Sequence, residues 1–252
     1  IKKAVRKNTK CVYIETPSNP LLSITDISNV VKICKSNNLI SIIDNTFASP
    51  INQNPVDFGI DIVIHSATKY LGGHSDIQAG IVISRKKLID KIRMLALNLG
   101  ASLNAQTCHL LERSIKTLAL RVERQNSNAQ KIAEYLQQHS DVTQVYYPGL
   151  KEHTKHNVAK KQMNGFGGMV SFDLAGISGE NFQRKLKIVK SALSLGGVES
   201  TICSPATTSH RHLTAEQRRI EGVGNNLLRL SVGIEDVNEL IEDLKQAFES
   251  ND

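Results

Sequence analysis

The chain has 252 residues, of which 40% are hydrophobic and 22% charged, enough for one large or two modest domains with a buried core. It carries a net charge of +7, yet only 4% of it is aromatic and it has no tryptophan. Its basic residues are mixed with acidic ones, so a solvated surface is expected in place of a nucleic-acid platform, which needs stacking rings. No apolar run approaches the roughly 20 residues of a membrane helix, and the basic opening IKKAVRKNTK lacks the apolar segment of a signal peptide.

The sequence opens on Ile1 and not on Met, so a fragment or a processed product is expected. Cys11, Cys34, Cys108 and Cys203 are scattered, with no CxxC pair. That pattern suits reduced thiols in a cytoplasmic protein, packed as small core residues.

In chain order, CVYIE at 11–15 is a short apolar strand that ends at the turn TPSNP. Asp26 or Thr25 can cap a helix through about 37, with Ile27, Val30, Val31 and Cys34 on one face. LISIID (39–44), DIVIHS (61–66) and AGIVIS (79–84) read as further strands, near-continuously apolar as in buried parallel sheets. This rhythm predicts an α/β layer with a mostly parallel sheet. It has only about four strands where sheets average five or six, so the layer is expected to be incomplete. A helix follows at 86–98, then a long helical pattern over 104–138 that bridges two units. Beyond 140, strands near 142–147, 168–174 and 227–232 alternate with helices near 152–163, 179–189, 214–221 and 236–249. The expected division is a part of a large domain over 1–125 and a smaller α+β domain over 126–252.

Three strand ends carry chemistry-bearing side chains: Asn19 after the first, Asp44 at the end of the second, and Ser66, Thr68 and Lys69 after the third. Open α/β sheets bind ligands beyond the carboxyl ends of their strands. The combination suits pyridoxal 5′-phosphate. Its aldehyde needs a lysine amine, its ring nitrogen a carboxylate that keeps it protonated, and its phosphate hydroxyl and N–H donors. The plainer alternatives, an aspartate turn former and a loop lysine beside Gly72 and Gly73, stay open on the residues alone.

The blocks ETPSNP, IIDNTFASP, HSATKYLGGHSD and RLSVGIED, in this order, resemble the Cys/Met-metabolism family of PLP enzymes, which includes the cystathionine synthases and lyases and methionine γ-lyase. The resemblance runs from about Cys11 to the C-terminus. It implies a fold-type I architecture, Lys69 as the cofactor-holding catalytic lysine, Asp44 as the partner of the ring nitrogen, and Ser66 and Thr68 as phosphate ligands. It places Asn19 near both the cofactor hydroxyl and the substrate carboxylate, Arg229 as the carboxylate clamp, Ser194 in a substrate-side loop over 194–200 and Glu199 near the entrance. Taken alone, Arg229 alternates with Leu228 and Leu230 and reads as a solvated side chain.

The activity implied is β- or γ-elimination, or γ-replacement, on cystathionine or a related sulfur amino acid, in a homo-oligomer. Methionine γ-lyase and O-acyl-homoserine sulfhydrylase activities are the alternatives, as is an inactive piece, because the family's ring-stacking tyrosine lies in a segment with no counterpart here. Ser204-Pro205-Ala206 departs from the family's histidine-led segment. No metal is expected: His210 with His212, and His153 with His156, lack a third ligand, and the glycines of 165–168 form a turn into a strand.

Overall fold

The computed structural model describes residues 1–249. The first sheet contains β1 (Cys11–Glu15), β2 (Ile40–Asp44), β3 (Ile62–Ser66) and β4 (Gly80–Ser84), side by side in that order. β1, β2 and β3 run parallel, whereas β4 pairs with β3 antiparallel. Helix α1 (Ile27–Ser36) and the short α2 (Ser49–Asn52) connect them. Of the two candidate caps, Asp26 performs the task, its carboxylate accepting from Asn29 N at 3.0 Å. Ile27, Val30, Val31 and Cys34 pack on Ile14, Ile43 and Val63. Strand side chains alternate, so Tyr13, Ile42, Asp44, Ile64 and Ser66 line the opposite face. That face is incompletely covered: Tyr13, Ile40 and Val82 are exposed. The expectation of strands buried on both sides is therefore corrected; α1 covers its side of β1, β2 and β3, while Ile83 of β4 is exposed on that side too.

Helix α3 (Lys86–Leu99) buries none of its residues. The single long helix expected over 104–138 is two, α4 (Ala105–Ile115) and α5 (Leu118–Gln137). At the break, Thr117 Oγ1 donates to Ser114 O at 3.2 Å and Thr117 leaves helical geometry, the local competition threonine offers a helix backbone.

The remaining elements are β5 (Val142–Tyr146), α6 (His156–Gln162), β6 (Met169–Leu174), α7 (Gly179–Lys185), β7 (Lys190–Ser191), β8 (Thr201–Cys203), α8 (Ala215–Ile220), β9 (Leu227–Ser231) and α9 (Val237–Glu249). The second sheet has the order β5-β6-β9-β8-β7, antiparallel except for β7 with β8. Leu228 and Leu230 of β9 and Val170 and Phe172 of β6 pack with α5, α7 and α9 side chains such as Ile132, Phe182 and Leu244. Among the described residues no helix is long and apolar enough to cross a membrane.

The helix expected over 179–189 stops at Lys185 for a specific reason. The buried Asp243 carboxylate of α9 accepts the backbone N–H groups of Lys187, Ile188 and Val189 at 2.8–2.9 Å, pulling that segment out of helical form. Replacing Asp243 with Ala leaves three backbone donors without their acceptor, that of Val189 buried and those of Lys187 and Ile188 partly so, so Asp243→Ala is expected to cost about 2–3 kcal/mol in chemical denaturation. A loss below about 0.5 kcal/mol, as for an ordinary surface change, would contradict this.

Candidate active site at the strand ends

The parallel register sets the site. Glu15 lies beside Asp44, and Asp44 beside Ile64, two residues before Ser66; all four side chains share the open face. The segment after β1 turns back sharply. Leu22 N donates to Ser18 O at 2.8 Å, Thr25 N to Thr16 Oγ1 at 3.0 Å, and Ser171 Oγ of the second sheet to Pro20 O at 2.6 Å. Beneath it, Gln53 Nε2 donates to Thr16 O at 3.0 Å and to Asn45 Oδ1 at 2.7 Å. Asn19 is thereby fixed, and its backbone N–H reaches Glu15 Oε1 at 3.1 Å.

Asp44 is half-buried. Its Oδ1 accepts from Thr46 N at 2.9 Å and its Oδ2 from Tyr13 Oη at 3.4 Å. Burial raises the Glu15 carboxyl above its ordinary range, and the Asp44 charge adds to this. The Tyr13 phenol is raised by burial and by Asp44.

Lys69 stands in a tight turn after β3. Thr46 Oγ1 accepts from Ser66 N at 2.8 Å, Lys69 N donates to Ser66 O at 3.2 Å, and Gly73 N donates to Lys69 O at 2.7 Å. Ser66 Oγ makes no hydrogen bond among the described residues. Thr68 Oγ1 is committed, accepting from Ala79 N at 3.0 Å and donating to Ala79 O at 3.3 Å. The half-buried Lys69 amine has no hydrogen bond or ion pair among the described residues. Burial lowers its pKa, and the Arg229 charge lowers it further.

Arg229 overturns the solvated alternative. It is only 4% exposed, because residues on both sides of β9 are covered. Nη1 donates to Asn19 Oδ1 at 3.0 Å and Nη2 to Leu193 O at 3.0 Å, while the buried Nε has no partner among the described residues. Among the described residues no carboxylate pairs with it. A buried guanidinium without a carboxylate of its own has the charge and geometry to pair with one from outside.

The loop over 194–200 lies directly on the lysine turn. Gly196, at φ +76, comes so near that a Cβ there would sit 2.9 Å from Tyr70 N, and Gly196 N donates to Ser231 Oγ at 2.8 Å. Ser194 in this loop is half-buried, its carbonyl accepting from Thr201 Oγ1 at 2.7 Å, and Glu199 is exposed. The structure thus brings Asn19 and Arg229 into contact, sets Lys69 within the field of Arg229, and packs the Ser194 loop on Lys69. Asp44, Ser66 and Thr68 lie along the adjoining strand ends.

Glu15, Thr46 and Tyr13 belong to this neighbourhood but were given no role from the sequence. Thr46 could have been found from its position two residues after a strand-end aspartate, where a side chain reaches a neighbouring strand's backbone. A groove of about 820 Å³ between α7 and the turn over 205–207 adjoins the site through Leu193, whose carbonyl accepts from Arg229, and Cys203, the strand partner of Arg229.

The free amine, the carboxylate on the open face, the unengaged Ser66 hydroxyl and the unpaired guanidinium form a donor set that fits pyridoxal phosphate with an amino acid. Arg229→Met removes the charge that disfavours lysinium, so the pH midpoint for acylation of Lys69 is expected to rise. Site-resolved mass spectrometry of the acylated protein measures it, and an unchanged midpoint would contradict the coupling.

Comparison with known proteins agrees with this chemistry. The family model described as "Cys/Met metabolism PLP-dependent enzyme" matches residues 1–249. Cystathionine beta-lyase of Lactococcus lactis subsp. cremoris (strain MG1363) is 48% identical over 251 residues, which is 99% of this chain and 66% of that protein. L-methionine gamma-lyase of Fusobacterium nucleatum subsp. polymorphum is 45% identical over 254 residues, 99% of this chain and 64% of that protein. The crystal structure of cystathionine gamma-lyase from Lactobacillus plantarum complexed with L-serine superimposes with a TM-score of 0.97 at 45% identity, over 99% of this chain and 66% of that one. The chain therefore spans just under two thirds of the length of these relatives.

Proposed function

The chain belongs to the Cys/Met metabolism PLP-dependent enzyme family, and from that premise we propose that the whole protein is a carbon–sulfur lyase acting on cystathionine or a related sulfur amino acid. The observation that carries the proposal is the unpartnered Lys69 amine beside a buried Arg229 that has no carboxylate of its own. Lys69 would hold the cofactor, Asp44 would keep a proton on its ring nitrogen, and Ser66 and Thr68 would hold its phosphate. Ser66 supplies the unengaged hydroxyl. Bound pyridoxal phosphate supplies an electron sink for negative charge at the substrate Cα.

Arg229 and Asn19 bind the substrate α-carboxylate, with Ser194 on the loop alongside, and Glu199 stands at the mouth of the site. Held at that end, the substrate presents its Cα–H to Lys69. A general base works in its neutral form. Burial and the Arg229 charge favour that form of Lys69, so the pair that orients the substrate also readies the base. Lys69 would then carry the proton toward the departing sulfur.

A cytoplasmic homo-oligomer is part of the proposal. Four free cysteines fit a reducing compartment, and the apolar Met94, Leu95, Leu97 and Leu99 exposed on α3 fit a covered face.

In the whole protein, Lys69→Ala is expected to abolish both the absorption band of lysine-bound cofactor and cystathionine cleavage. Asp44→Asn is expected to keep the cofactor but to lose activity by about a hundredfold or more, the scale of a lost proton-holding group. Cofactor binding and cleavage that persist in Lys69→Ala would refute the proposal.

A further inference from the structure

Helix α5 has a polar stripe where a packing helix would bear apolar side chains. Arg121, Gln125 and Asn128 are spaced i, i+4 and i+7 and so share a face. They are 5%, 0% and 1% exposed. Each donates to main-chain carbonyls, and all of these except Ser114 O of α4 belong to three loops of the site. Arg121 Nη1 reaches Tyr70 O at 2.8 Å, and its Nη2 reaches Leu71 O at 3.4 Å and Ser114 O at 2.9 Å. The first two carbonyls directly follow Lys69. Gln125 Nε2 reaches Gly197 O at 2.7 Å, in the loop that bears Ser194 and Glu199. Asn128 Nδ2 reaches Gly233 O at 3.1 Å and Glu235 O at 2.9 Å, just past β9 and Arg229. The loops are also tied to one another, through Val198 N to Gly73 O and Ile234 N to Val198 O, both at 2.9 Å.

Burying such groups is costly unless each finds partners. Arg121 has only one hydroxyl, from Thr117 at 3.1 Å, and carbonyls around it, and burial lowers its pKa. Gln125 Oε1 and Asn128 Oδ1 are buried without partners among the described residues. Gly73, at φ +70, leaves the room Arg121 needs, since a Cβ there would overlap the guanidinium. Three leucines would hold the helix without these costs; what they could not do is set the heights of three separate backbone segments on a single rigid element.

We propose that Arg121, Gln125 and Asn128 are positioning residues that register the Lys69 turn against the Ser194 loop and the Arg229 strand, fixing the separation of the reacting amine and the carboxylate clamp. This rests on the roles proposed above for Lys69 and Arg229.

The test uses the whole protein loaded with pyridoxal phosphate, with cystathionine as substrate, and compares Gln125→Met, Arg121→Met and Arg121→Lys with the unaltered protein. The readouts are KM, kcat, the pH midpoint of the absorption band of lysine-bound cofactor, and the thermal unfolding midpoint. Gln125→Met keeps the volume and loses the donor to Gly197. It is expected to raise KM about tenfold with kcat within about twofold, as for one lost hydrogen bond acting on the substrate loop. Arg121→Met is expected to lower kcat by about a hundredfold, as a misplaced reacting group does, and to move the pH midpoint. Arg121→Lys should recover part of both.

If Arg121→Met does not fold, Gln125→Met decides alone. A folded, cofactor-loaded Gln125→Met with unaltered KM, kcat and pH midpoint, and only a lower unfolding temperature, would overturn the proposal. Absence of cofactor binding and turnover in the unaltered protein would overturn the functional reading and this inference with it.

Discussion

Arg229 Nη1 stands 3.0 Å from Asn19 Oδ1, and at that contact the two sheets meet over the site. Asn19 follows the first strand of the four-stranded sheet, and Arg229 lies in the middle strand of the other sheet. Each is fixed independently: Asn19 by its backbone bond to Glu15, Arg229 by its second arm on Leu193 O. The bond sets how far the guanidinium lies from the lysine turn. It also consumes only one of the guanidinium's N–H groups and no charge, so the site keeps a cation ready for an anionic ligand.

That cation has a cost within the fold. A buried guanidinium without a carboxylate is unfavourable, and the half-buried Lys69 beside it is pushed toward its neutral form. A lysine whose folded pKa is depressed destabilises the fold at neutral pH. The cost disappears as pH rises through the ordinary lysine range, where the amine is neutral in the folded and the unfolded chain alike. Tertiary bonds elsewhere offset it, among them the Asn45, Gln53 and Gln162 network under the first turn and the three backbone donors gathered by Asp243. Uncompensated charge and perturbed titration gathered in one place are the usual arrangement of a functional site.

Much of this architecture was legible in the sequence because hydrophobic period and strand ends are local properties. The runs at 11–15, 39–44 and 61–66 announce strands, and the positions of Asn19, Asp44 and Lys69 past their ends announce a crevice. Asp26 announces a cap. What was hidden depends on distant partners. β7 and β8 are too short to carry a period of their own. The direction of β4 is a matter of pairing, and the end of α7 is set by a carboxylate more than fifty residues away. The burial of Arg229 could not be read from alternation, since a charged residue in a strand looks the same whether its face is wet or covered. Arg121 looks like any helical surface arginine until the Lys69 turn is seen folded against it.

The claim on which the account turns is that the cofactor is joined to the amine of residue 69. Borohydride reduction of the cofactor-loaded whole protein, followed by digestion and mass mapping, locates that bond covalently. The account predicts a reduced pyridoxyl group on the peptide that contains Lys69. The same group found on another lysine, with that peptide unmodified, would contradict it.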